Sequence, residues 1–303
     1  MTDPKRSEAS PRKLALGSAQ FGLDYGISNR TGRTPLDVAR AIVERALSQG
    51  LDLIDTAPGY GVSEEILGRI LERDVPRIVT KTPHFPEERI TREHASTLRE
   101  SLATSLDRLK RDRVYGLLIH AADDLRKPGG EHLYQAMCDL RHEGLVERVG
   151  ASLYTVDQLR DLRSRYELDL LQVPINVLDQ RLLRSGELDA LSDGGVEIHA
   201  RSVFLQGALL MEVDDLPSVF NRHRASLKRY RALLHDRGWS PVDAALGFVL
   251  ALTPVDRVVC GVNTLEQWEE LARVSPRAID ASQLFDFGIA DERALNPSRW
   301  NGS

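Results

Sequence analysis

The sequence predicts a single α/β domain, a (β/α)8 TIM barrel, on three observations. Short apolar runs alternate with amphipathic segments eight times between Lys13 and Val274, the order that gives parallel strands joined by helical crossovers. No change of composition marks a linker, so the 303 residues suit one barrel, a fold that typically takes about 250. Almost every apolar run closes on a polar residue or glycine: Ser18, Asp55, Lys81, His120, Ser152, Gln172, Arg201 with Ser202, and Gly261. An open doubly wound sheet is the competing arrangement. Against it, strand one is not followed by the Gly-x-Gly-x-x-Gly turn that a dinucleotide needs in that fold.

Residues 1–12 are polar, carry two prolines and read as a disordered N-terminal tail; 13–303 read as the barrel with its C-terminal tail. Strand one is Leu14 to Ser18, followed by a loop with Phe21, Gly22 and Gly26. The first helix follows Thr34-Pro35, an N-cap with proline in the first turn, and presents Val38, Ala41, Ile42 and Ala46 before Gly50 ends it. Strand two runs from Leu51 to Asp55 into the turn Pro58-Gly59-Tyr60-Gly61, and Ser63-Glu64-Glu65 starts the next helix with a capping hydroxyl and early acids. Strand three is Arg77–Lys81. The helix from Thr91 to Lys110 carries a stripe of Leu98, Leu102, Ser105, Leu106 and Leu109. Strand four is Val114–His120, then a helix from Glu131 to His142 stopped by Gly144.

Strand five, Arg148–Ser152, leads to a helix capped by Thr155, and strand six, Leu170–Pro174, to a poorly patterned helix over 182–191. Strand seven is Glu197–Ser202. A long connection with two helical segments, 226–236 and 242–252, makes one helix surplus to a simple repeat. Strand eight, Arg257–Gly261, precedes the last helix, 265–274, and the tail from Ser275 lies across one end.

The formal net charge of -5 gives no electrostatic case for nucleic acid or an anionic membrane. The most apolar run, 244–252, is far short of a membrane span. Cys138 and Cys260 have neither metal nor disulfide spacing, which reads as a reduced cytoplasmic protein. Small-molecule chemistry is the class left. Lysine is scarce, at positions 5, 13, 81, 110, 127 and 228, so Lys81 at the end of an apolar strand stands out.

A barrel brings the carboxyl ends of its strands to one face. Taken singly, each polar strand end is an ordinary structural residue; as a ring they make a candidate site. Asp55, Tyr60, Lys81 and His120 are chemically coherent. A phenol of ordinary pKa near 10 needs a neighbouring positive charge to act as a proton donor to a carbonyl oxygen. Lys81 is expected to supply it by lowering the Tyr60 pKa, Asp55 to keep Lys81 charged, and His120 to orient the substrate oxygen.

The run Ile54-Asp55-Thr56-Ala57 leading to Tyr60-Gly61, then Thr80-Lys81, then Leu118-Ile119-His120, resembles the aldo-keto reductases in residue type, order and spacing, and the likeness covers Leu14 to Val274. The resemblance implies a catalytic tetrad of Asp55, Tyr60, Lys81 and His120. It further implies a nicotinamide dinucleotide, mostly NADP(H) with NAD(H) as the other choice, lying across the barrel face. Ser152 and Gln172 match the positions that hold the nicotinamide carboxamide, and Gly17 and Ser18 are counted with the cofactor-binding residues. Arg201, Ser202, Val203, Phe204, Leu205, Gln206 and Gly207 match a loop over the pyrophosphate, and Gly261, Val262, Asn263, Gln267 and Glu270 the adenosine end.

There are departures from the family pattern. Leu153 replaces a common Asn, Arg201 the aromatic that usually stacks on nicotinamide, and Leu271 a frequent Asn. The segment Val262-Asn263-Thr264 has no Lys or Arg for a 2'-phosphate. The expectation is an enzyme reducing a small-molecule aldehyde or ketone with NADP(H); the alternative is a cofactor-binding regulatory or scaffold protein with little catalysis. No metal is expected. His199 is read as a candidate partner of Arg201 or a structural residue. Phe21, Phe285, Phe287 and Trp300 are read as pocket aromatics or packing, and Arg222 to Arg231 as one solvated basic face.

Overall fold

The computed structural model describes residues 13–72 and 75–302; the expected tail, 1–12, lies outside them. Eight parallel strands close in sequence order, β1 next to β2 and so on round to β8 beside β1. They are β1 (Leu14–Gly17), β2 (Leu53–Asp55), β3 (Arg77–Lys81), β4 (Val114–Ile119), β5 (Val146–Ser152), β6 (Leu170–Pro174), β7 (Glu197–Arg201) and β8 (Arg257–Gly261). The register sets Gly17 beside Asp55 and beside Gly261, and Ser152 beside Gln172. The strands' carboxyl ends therefore form one level rim.

The barrel interior is small and apolar, with Ala15, Leu53, Val79, Tyr115, Leu118 and Leu170 buried together. The main core lies outside it, between strands and helices. Thr91 caps Arg92–Leu109 in a box with His94, and Thr155 caps Val156–Arg165 in a box with Gln158. The long connection after β7 holds three short 3-10 segments and then the helices Arg224–Arg237 and Pro241–Leu250.

Several local expectations are corrected. The helix Leu36–Ser48 takes Pro35 as its N-cap and buries Ala39, Ile42, Val43 and Ala46, leaving Val38 and Ala41 at the margin. Ser63 is the first residue of Ser63–Ile70 rather than its cap; its hydroxyl turns inward and donates to Ser18. The segment 182–191 is two short helices, Arg181–Arg184 and Glu187–Asp193. Arg224 and Arg231 do not form a solvated face: they donate to carbonyls of Val213, Leu216 and Met211, tying down the connection after β7.

At the opposite end from the rim, the strand starts carry a polar plug. Asp52 accepts from Arg77 at 2.6 Å and Arg257 at 3.0 Å. Glu197 accepts from Tyr115 and pairs with Arg148 at 3.2 Å. His199, fully buried, meets the same carboxylate at 2.8 Å, so its partner is Glu197 and not Arg201. Among the described residues no helix is long and apolar enough to cross a membrane.

Candidate active site

At the end of β3, Lys81 is fully buried, and its ammonium donates to both oxygens of Asp55 at 2.8 Å and to the Thr56 carbonyl at 2.9 Å. That occupies all three of its N–H groups. Burial lowers the Lys81 pKa and the Asp55 carboxylate opposes the drop. Asp55 accepts once more, from Gln172 Nε2 at 2.7 Å, so the ends of β2, β3 and β6 are joined through one carboxylate.

Tyr60 follows from the turn after β2, held by Tyr60 N donating to Ala57 O and Ser63 N to Tyr60 O. Its ring lies 4.9 Å from Lys81 Nζ, centroid to nitrogen, and edge-on to His120 with 5.9 Å between centroids. The backbone here has no slack. A Cβ on Gly22 would stand 1.7 Å from the Tyr60 carbonyl oxygen, and Gly61 takes φ +57 against Gly22. Burial pushes the phenol pKa upward, Asp55 pushes the same way, and Arg201 opposes both. Lys81 is not among the groups that set this shift; its ammonium faces Asp55 and Thr56. Burial, with Lys81 beside it, lowers His120 to about 4, so the imidazole is neutral at physiological pH.

These four side chains open onto a cleft of about 420 Å³ across the rim, within the usual range for small-molecule sites. Gly17, Ser152, Gln172, Arg201, Ser202, Val203, Phe204, Gly207, Gly261, Val262, Asn263, Gln267 and Glu270 line it as well. Two expected residues do not. Ser18 is buried and ties β1 to β2, its hydroxyl donating to Asp55 O at 2.9 Å, and Leu205 is wholly inside the core. The loop after β7 is wound tightly, with Ser202, Leu205 and Gln206 all at positive φ, a strained path of the kind found over ligand sites. It meets the loop after β1, where Ile27 N donates to Gln206 O.

Sequence reasoning missed Gln20, Tyr25, Ser28, Asn29 and Tyr154, which line the cleft together with Gln206 of the loop after β7. Tyr154 had a usable signal: it stands two residues after Ser152, and alternate residues of an extended chain share a face. The Arg201 guanidinium lies 4.0 Å over its ring. The others sit on loops without periodicity. Phe21 is buried away from the cleft, while Phe285, Phe287 and Trp300 pack on Phe248, Tyr230 and Phe220.

The model of the aldo/keto reductase family matches residues 13–287. Aldo-keto reductase YhdN of Bacillus subtilis is 31% identical over 289 residues, covering 87% of this chain and 85% of that protein. The NADH-specific methylglyoxal reductase of Escherichia coli is 27% identical over 73% of this chain and 77% of its own length. The solved glycerol dehydrogenase of Gluconobacter oxydans superposes with a TM-score of 0.69 at 24% identity, over 91% of this chain and 90% of that one, a likeness of fold. With the family match spanning the whole barrel, the chain belongs to the aldo-keto reductases, a family of oxidoreductases.

Proposed function

We infer that this enzyme moves a hydride between a nicotinamide dinucleotide and a small aldehyde or ketone, with Tyr60 exchanging the proton at the substrate oxygen. The observation that carries the reading is the meeting of Asp55, Tyr60, Lys81 and His120 in one cleft with Ser152 and Gln172. The donor set suits the cofactor: a hydroxyl and an amide stand side by side on β5 and β6, matched to a carboxamide. A Cβ on Gly261 would stand 2.2 Å from the side-chain amide of Gln20, so a larger residue here would have to displace that side chain. The bound nicotinamide supplies or accepts the hydride.

The chain's own residues do the rest. Tyr60 is protonated at neutral pH, since burial raises its pKa, and its hydroxyl has no hydrogen-bond partner among the described residues, so the O–H is available to a carbonyl oxygen. Neutral His120 donates a second hydrogen bond to that oxygen and fixes its direction. Lys81, its charge kept by Asp55, and Arg201 stabilise negative charge as it develops on the oxygen. Asp55 and Gln172 hold Lys81 and the carboxamide site in one register.

NADH fits the adenosine end better than NADPH, against the preference drawn from family resemblance. The cleft residues from Gly261 to Leu271 include no Lys or Arg, and Glu270 brings a carboxylate that repels a 2'-phosphate and accepts from a ribose hydroxyl. The NADH-specific relative in Escherichia coli supports this choice. Cys260 is buried and neither cysteine is paired, which suits a reducing compartment such as the cytoplasm. The test is initial-rate turnover of NADH and of NADPH with a panel of small aldehydes, in wild type and Tyr60→Phe. NADH is expected to give the higher kcat/KM, and the variant to lose about 10²- to 10⁴-fold in kcat with cofactor affinity retained. Undiminished turnover in Tyr60→Phe removes the mechanism; tight cofactor binding without turnover on any carbonyl returns the protein to a binding role.

A further inference from the structure

The charges at the reacting end do not balance. Lys81 is cancelled by Asp55. His120 is neutral, and so is Tyr60. Arg201 is left over. Its partners are the Ser202 hydroxyl at 3.0 Å, the Leu153 carbonyl at 3.2 Å and the Tyr154 ring, none of them an anion, and among the described residues no carboxylate pairs with it. Two of its five N–H donors are used in these bonds. Its charge is felt at Tyr25, Tyr60, Lys81 and His120, so it acts over the whole of this end of the cleft. Stacking on Tyr154 and the left-handed turn at Ser202 (φ +59) hold it there.

We propose that Arg201 sets the redox balance of the bound cofactor, favouring the reduced dinucleotide over the oxidised one. The inference rests on the oxidoreductase reading above. A hydride can pass only between atoms in near contact, so the nicotinamide ring must lie beside the carbonyl carbon held by Tyr60 and His120, inside the field of Arg201. Oxidised nicotinamide carries a positive ring and the reduced ring is neutral; the phosphates are common to both. An uncompensated cation disfavours the oxidised ring on whichever face it lies. By linkage, bound oxidised cofactor becomes a stronger hydride acceptor. The balance between substrates on the enzyme then shifts toward carbonyl formation, with the overall equilibrium in solution unchanged.

Direct binding tests this without turnover. Dissociation constants of NADH and NAD⁺ are measured by titration calorimetry on the full-length wild type, Arg201→Gln and Arg201→Lys. The ratio Kd(NAD⁺)/Kd(NADH) is expected to fall by about tenfold in Arg201→Gln, the effect of one partly screened charge a few ångströms away. That corresponds to about 30 mV for a two-electron couple. Arg201→Lys is expected to keep most of the wild-type ratio. Because both ligands are titrated into the same preparation, any loss of folded fraction cancels. An unchanged ratio in Arg201→Gln overturns the proposal, as does an equal weakening of both forms, which would make Arg201 a phosphate ligand. Failure of wild type to bind either dinucleotide brings down the oxidoreductase reading, and the inference with it.

Discussion

Lys81 and Asp55 form a buried pair in which each charge is tolerable only because the other is present. Removing one member should be worse than removing both. Lys81→Met leaves an uncompensated carboxylate and is expected to cost about 3–5 kcal/mol, whereas Lys81→Met with Asp55→Asn should recover a large part of that loss. Urea unfolding of the two variants decides it, and a double variant no more stable than the single one would show that the ammonium was not compensating the acid. At this scale the sequence disclosed residue types at strand ends and the pairing of Asp55 with Lys81, but not the other partners. A Lys closing β3 and an Asp closing β2 are visible in the chain. That Gln172 donates to the same Asp55, or that Ser18 turns from the cleft to brace two strands, depends on side-chain directions that a linear pattern does not carry.

Helix caps and turns place the site as firmly as the strands do. Thr155 Oγ1 accepts from Gln158 N at 3.1 Å, and Gln158 Oε1 accepts from Tyr154 N at 2.8 Å, so the cap of Val156–Arg165 also anchors the residue under Arg201. Thr155→Ala is expected to destabilise the protein by about 1 kcal/mol, read as a lowered urea midpoint with an unchanged slope; a midpoint equal to that of wild type would mean that water replaces the cap at no cost. This cap was legible because its hydroxyl opens a helix directly after a strand. Ser63 offered the same signal and misled: the chain before it is a tight turn, which brings its hydroxyl inward to Ser18. Arg224 and Arg231 misled in a related way, while Arg222, Lys228 and Arg229 are exposed as expected. Arginines on one helix read as solvated until an irregular loop with unpaired carbonyls packs beside them, and no period in the sequence announces that loop.

The closed barrel separates chemistry from stability, with the cleft on one rim and the plug of Asp52, Arg77, Tyr115, Arg148, Glu197, His199 and Arg257 at the other. Burial alone would raise the Glu197 pKa, but hydrogen bonds from His199 and Tyr115 and the charges of His199 and Arg148 hold it at about 2, below its usual 4.5. A carboxyl depressed on folding contributes its full stability above the unfolded value and loses it as pH falls through the folded one. Wild type is therefore expected to lose about 2 kcal/mol more than Glu197→Gln between pH 5 and 2, a figure reduced for solvent screening. Equal acid sensitivity in urea melts across that range would exclude Glu197 as the source. The circuit of eight strands was legible because strand and helix periods alternate without a break, whereas the plug was not, because its members are scattered over six strand starts. The rim has a division of its own. Residues proposed to handle the carbonyl come from β2 to β4 and the turn after β2, and those proposed to hold the dinucleotide come largely from β5 to β8. A gene spliced in the turn at Gly144, joining this first half to the second half of an NADPH-using relative, would inherit substrate chemistry from one parent and coenzyme choice from the other, provided the β4–β5 and β8–β1 seams still zip.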